Sequence, residues 1–139
     1  MERNEFLKML GTASLMACAG CALESCSSSD PTVPAPPTGV DFTIDLTSSA
    51  NTALTADGGS IYKNGLVIVR ISDTSYIALS QACTHQGTTV AFQPSAGNFL
   101  CSNHGSRFST TGSVINGPAA SSLKRYNTEL TGTDLRVFS

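Results

Sequence analysis

I-Y-K-N-G-L-V-I-V-R-I-S-D-T-S-Y-I-A-L-S-Q-A, residues 61–82, holds two turn signals between three short runs of apolar and β-branched residues. Asn64-Gly65 is the residue pair that favours a type I′ hairpin turn. It separates a strand over Ile61–Lys63 from one over Leu66–Ile71, and Ser72-Asp73-Thr74 then turns the chain into a strand over Ser75–Ala82. Upstream, Phe42, Ile44 and Leu46 alternate with polar residues. Downstream, strands are expected over Thr89–Phe92, Asn98–Leu100, Leu123–Leu130 and Leu135–Phe138, with turns at Pro94–Gly97 and Thr131–Asp134. From Val40 onward no apolar pattern sustains a helical period over three turns. The expected fold is therefore all-β, an antiparallel sandwich or open barrel, without internal repeats.

A chain of 139 residues and 14.4 kDa has room for one such domain and an appendage. Hydrophobic residues make up 40% and charged residues only 13%, which is the balance of a folding chain rather than a disordered one. Eight Lys and Arg against ten Asp and Glu leave a net charge of -2, too little positive charge to hold a phosphate backbone. Nucleic acid is therefore not an expected partner.

Both histidines and two of the five cysteines fall within the β region. Cys83-Thr84-His85-Gln86-Gly87 follows one strand, and Cys101-Ser102-Asn103-His104-Gly105-Ser106 follows the next hairpin, with fifteen residues between His85 and Cys101. Each loop supplies one thiolate and one imidazole, and the hairpin between them brings the loops face to face. Four convergent donors of this kind point to metal. A zinc site of two Cys and two His is chemically possible, although zinc sites usually keep like ligands adjacent. The mixed loops suit a 2Fe-2S cluster in which two thiolates bind one iron and two imidazoles the other.

The motifs C-T-H-Q-G, C-S-N-H-G-S-R-F and G-S-V-I-N-G-P-A resemble those of the Rieske iron-sulfur family, over most of the chain from about Ile61 to Val137. The resemblance implies a Rieske domain over residues 40–139, with a small cluster-binding subdomain at about 80–120. It implies one 2Fe-2S cluster per chain, with Cys83 and Cys101 on the inner iron and His85 and His104 on the outer iron near the surface. Gly117-Pro118-Ala119 would form a loop covering the cluster, and Ser106 would donate to a bridging sulfide. Rieske subunits of cytochrome bc complexes carry an additional disulfide, whose positions look like Thr88 and Asn103 here. They also carry a Tyr where this chain has Phe108.

The resemblance implies one-electron transfer, because imidazole ligands lower the negative charge on one iron and raise its potential. A Rieske oxygenase would need a second iron, typically held by two His and a carboxylate, but the cluster takes both His of this chain. An electron-transfer protein or redox-complex subunit is thus expected rather than a stand-alone enzyme. Its partners would be a redox donor and acceptor, such as a quinol-linked enzyme and a cytochrome. Three rival readings are the iron-sulfur subunit of a cytochrome bc-type quinol-oxidising complex, the electron-transfer subunit of a periplasmic oxidoreductase, and a structural zinc interaction module.

The remaining cysteines lie in residues 1–26, which read as an export leader. Arg3 and Lys8 precede fifteen small or apolar residues from Met9 to Leu23, short of the about 20 that span a bilayer. Leu15-Met16-Ala17-Cys18 resembles a bacterial lipobox, and Ala19-Gly20-Cys21 competes with it. Either would give a signal peptide ending in a lipid-anchored cysteine, with the protein on the periplasmic side of a bacterial membrane. A disulfide among Cys18, Cys21 and Cys26 is the alternative for these residues. Arg3-Asn4-Glu5-Phe6-Leu7-Lys8 also resembles a twin-arginine export signal, with Asn4 in place of the second arginine. Ser27–Gly39 carries four prolines and no apolar period, and reads as a linker that tethers the domain.

Overall fold

A computed structural model describes residues 33–139; the leader and its candidate lipidation residues Cys18 and Cys21 lie outside them. Asn64 and Gly65 join β2 (Ser60–Lys63) to β3 (Leu66–Ser72). Their φ angles of 52° and 79° are both positive, as a type I′ turn requires. β4 (Ser75–Ser80) returns antiparallel to β3. A second hairpin, β9 (Arg125–Thr131) and β10 (Asp134–Phe138), joins β4 through β9, and β1 (Asp41–Asp45) pairs along β10. The result is a curled antiparallel sheet in the order β1-β10-β9-β4-β3-β2. The four remaining strands, β5 (Ala91–Gln93), β6 (Asn98–Leu100), β7 (Arg107–Phe108) and β8 (Val114–Asn116), form a separate meander in chain order. The all-β antiparallel expectation holds.

Leu66 to Val69 are all fully buried, because β3 has a core on each face. Side chains alternate across a strand. Val67 and Val69, with Ile77 and Leu79 of β4, pack with Val90, just before β5, and with Phe99 and Phe108 of the meander. Leu66, Ile68, Tyr76 and Ala78 face Ile44, Leu54, Leu135 and Val137 inside the curled sheet. The continuous apolar run of β3 is thus the imprint of a strand between two cores. The meander stands on one of these faces; one candidate ligand loop precedes β5 and the other joins β6 to β7.

Several boundaries differ from the sequence expectation. The expected strand over Ser75–Ala82 stops at Ser80, and Ala82 makes only an isolated bridge with Thr89. The strand expected over Thr89–Phe92 pairs from Ala91, and that over Leu123–Leu130 begins at Arg125. A 3-10 helix over Ser49–Thr55 was not foreseen; it buries only Leu54, so no apolar period betrays it. β7 and β8 are too short to show alternation. The expected linker, described from residue 33, lies against the domain there: the Pro37 carbonyl accepts from Tyr126 Oη at 2.6 Å and Lys124 Nζ at 3.3 Å.

Arg136 of β10 clasps Asp41 of β1 with two hydrogen bonds, of 2.9 and 2.7 Å. That clasp holds the Asp41 carboxyl below its ordinary pKa of 3.8, and the Thr47 hydroxyl and N–H do the same for Asp45. A depressed folded-state value means stability that is present above the unfolded carboxylate value and lost as pH falls through the folded one. Urea unfolding between pH 7 and pH 2.5 is therefore expected to show a flat midpoint that drops at the acid end, with a shallower drop in Arg136→Gln.

Candidate metal centre

The two candidate loops are built alike. In the first, Cys83 N–H donates to the Thr88 carbonyl at 2.8 Å and Gly87 N–H to the Cys83 carbonyl at 2.7 Å. In the second, Cys101 N–H donates to the Ser106 carbonyl at 2.8 Å and Gly105 N–H to the Cys101 carbonyl at 2.9 Å. Gly87 and Gly105 have φ angles of 78° and 79°, a left-handed turn that residues with a side chain rarely adopt. Each loop therefore turns away at a cysteine and returns within five residues. This closure sends the cysteine inward: Cys83 is 0% and Cys101 2% exposed, and among the described residues neither is in a disulfide.

The histidines lie nearer the surface. His85 is half-buried and His104 exposed, and their rings meet edge to face with centroids 4.8 Å apart at 86°. Burial pushes the Cys83 thiol pKa up, and the neighbouring Cys101 adds to the rise. The N–H groups of His85 and Gln86, which donate to the Cys83 sulfur, oppose it. Backbone donors aimed at a sulfur favour the thiolate, the form that binds metal.

His85 Nδ1 is buried and has no hydrogen-bond partner among the described residues. Such an orphan calls for an explanation, and a metal ion satisfies it. The donors stand as a buried thiol pair and an outer imidazole pair, the unlike ligand sets that a 2Fe-2S cluster takes.

Neighbours hold the loops in place. Ser106, fully buried, accepts from Ala119 N–H at 2.9 Å, which docks the Gly117-Pro118-Ala119 segment on the second loop and leaves the hydroxyl proton free to be donated. Thr84 Oγ1 donates to the Ser121 carbonyl at 2.6 Å. Two contacts had no signal in the sequence. Asn116 Nδ2 donates to the Gly105 carbonyl at 2.9 Å, and Asn103 Nδ2 bridges the loops to Gln86 Oε1 at 3.3 Å. Phe108 is fully buried in the core beneath the loops.

The family described as "Rieske [2Fe-2S] domain" matches residues 44–127. The cytochrome b6-f complex iron-sulfur subunit of Synechococcus elongatus is 39% identical over 61 residues, which are 44% of this chain and 34% of that subunit. The chain thus spans about a third of the length of such subunits. The cyanobacterial plasma membrane Rieske protein PetC3 from Synechocystis PCC 6803 superposes with a TM-score of 0.54 at 29% identity, over 63% of this chain and 93% of that one. The ferredoxin of carbazole 1,9a-dioxygenase from Nocardioides aromaticivorans shares the fold, with a TM-score of 0.53 at 23% identity over 73% of this chain and 98% of that one.

Ser106→Ala would leave the Ala119 N–H buried without an acceptor. The expected loss is about 1–3 kcal/mol in denaturant unfolding. Thr84→Val removes a bond that water can replace, so a smaller loss is expected in the same assay.

Proposed function

The chain belongs to the Rieske 2Fe-2S domain family, and on that premise we propose that it is a one-electron carrier in which Cys83 and Cys101 hold the inner iron and His85 and His104 the outer one. The observation that carries this reading is the pair of matched loops, which set two free thiols inside and two imidazoles outside. A 2Fe-2S group bound there supplies one electron at a time. The chain's own residues do the rest. The buried cysteines exclude water from the inner side, backbone N–H groups face the Cys83 sulfur, and the exposed His104 gives a redox partner an approach.

The protein would work outside the cytoplasm, tethered by lipid at Cys18 or Cys21 of its leader. The charged start, the short apolar run and the competing lipobox cysteines support this. Among the described residues no helix is long and apolar enough to cross a membrane. Its partners would be a redox donor and a redox acceptor. The similarity to cytochrome b6-f iron-sulfur subunits favours a second reading, a subunit of a quinol-oxidising cytochrome complex. Co-purification with a cytochrome b would select it.

Protein purified from a host that assembles clusters is expected to be red-brown, with two irons and two acid-labile sulfides per chain. Replacing either His85 or His104 with Ala should abolish the Rieske-type electron paramagnetic resonance signal. Stoichiometric zinc without sulfide would instead identify a zinc module. A separate fractionation experiment tests the tether. Detergent, but not high salt, is expected to release the full chain from membranes. Joint replacement of Cys18 and Cys21 with Ser should move it to the soluble fraction with its iron content unchanged; a doubly substituted protein that stays membrane-bound would refute lipid anchoring.

A further inference from the structure

The two ligand loops are alike inside but unlike outside. At Gly105 a β-carbon would meet nothing within 4 Å. At Gly87, in the same left-handed conformation, it would lie 2.7 Å from Cδ of Pro34 and 3.7 Å from Cα of Val33. The first loop is therefore covered by Val33 and Pro34 of the proline-rich segment, whereas the matching position of the second loop is open.

The segment is also held three residues further along, at Pro37. The Pro37 ring presses on the hairpin turn, with Cγ 2.9 Å from where a β-carbon on Gly65 would stand. The Pro37 carbonyl takes the Tyr126 hydroxyl at 2.6 Å and Lys124 Nζ at 3.3 Å, and Tyr126 itself is only 2% exposed. Gly65 in turn accepts from Gln81 N–H at 3.0 Å, and Gln81 accepts from Val90 N–H at 2.9 Å, on the two sides of the first loop. Between its two contacts the chain reads V-P-A-P-P, where proline rings preset the backbone and resist bending. A stiff segment held at Pro37 therefore bears on Gly87 at Pro34.

We propose that Val33–Pro37 is a strap that positions the first ligand loop, so that the setting of Cys83 and His85 depends on how the tether enters the domain. Pro34, Pro37 and Tyr126 are its positioning residues. The proposal rests on the ligand assignment above only for its spectroscopic consequence. The contacts of the strap with Gly87 and Gly65 exist whatever the loop binds.

The test uses the full-length protein and two variants that leave the loop sequences untouched. Tyr126→Phe removes the hydroxyl that anchors Pro37, and Pro34→Gly removes the ring over Gly87. By hydrogen exchange, Tyr126→Phe is expected to speed exchange in Cys83–Thr88 about fivefold, the effect of losing one ordinary hydrogen bond; Pro34→Gly is expected to speed it in the same segment, and both to leave Cys101–Ser106 unchanged. The double variant should do little more than either single one, because both release the same strap. In cluster-loaded protein, each should also shift the resonance g-values. Equal acceleration in both loops, or a lowered unfolding midpoint with unchanged exchange in Cys83–Thr88, would overturn the proposal. A protein without iron would fail the ligand assignment, yet the exchange measurement would still decide the strap.

Discussion

Each candidate ligand loop depends on one backbone hydrogen bond, from the N–H of a left-handed glycine to the carbonyl of the cysteine four residues earlier. With Gly87 and Gly105 in place, the chain reverses at once, and the cysteine carbonyl and N–H are both satisfied within the loop. That matters because both cysteines are buried, where an unpaired backbone group is costly. The histidine further along each loop lies nearer the surface than its cysteine, His85 half-buried and His104 exposed. The division into an inner thiol pair and an outer imidazole pair thus repeats in both loops, with the two rings in edge-to-face contact.

The loops need a platform, and β3 and β4 provide it. Their alternate side chains serve two cores at once, so the face that carries the meander is fixed by the same strands that close the curled sheet. A one-residue slip of β3 would exchange the two sets and disturb both cores. The positive-φ turn at Asn64-Gly65 sets the pairing of Lys63 with Leu66 and so guards against that slip.

These are also the parts that were legible in the sequence. Asn64-Gly65 announces its hairpin because few residue pairs adopt that turn, and the mixed Cys and His loops announce metal because both donors recur within three or four positions. The 3-10 helix at Ser49–Thr55 was hidden because burying Leu54 alone leaves no period. β7 and β8 were hidden because two or three residues cannot display alternation. Asn116, Asn103 and Gln86 were hidden for a different reason: an amide that bonds a loop eleven or seventeen residues away looks like any surface amide. The proline-rich stretch reads as a linker because composition reveals stiffness but not what a stiff segment lies against.

The meander enters after Ser80 and leaves before Arg125, and these two points touch. Ser80 N–H donates to the Lys124 carbonyl at 2.8 Å, and Lys124 N–H returns to Ser80 Oγ at 3.1 Å across 44 positions of sequence. The whole metal-binding part is therefore an excursion whose ends meet, and in topological terms a short turn could replace it without breaking the order of the larger sheet. Energetically it is not detachable in the same way. Val67, Val69, Ile77 and Leu79 would then stand bare on the outer face of the sheet, a sticky patch that would drive the host towards self-association. The module could be exchanged for another insert between the same two strands, provided that the replacement brings its own apolar underside.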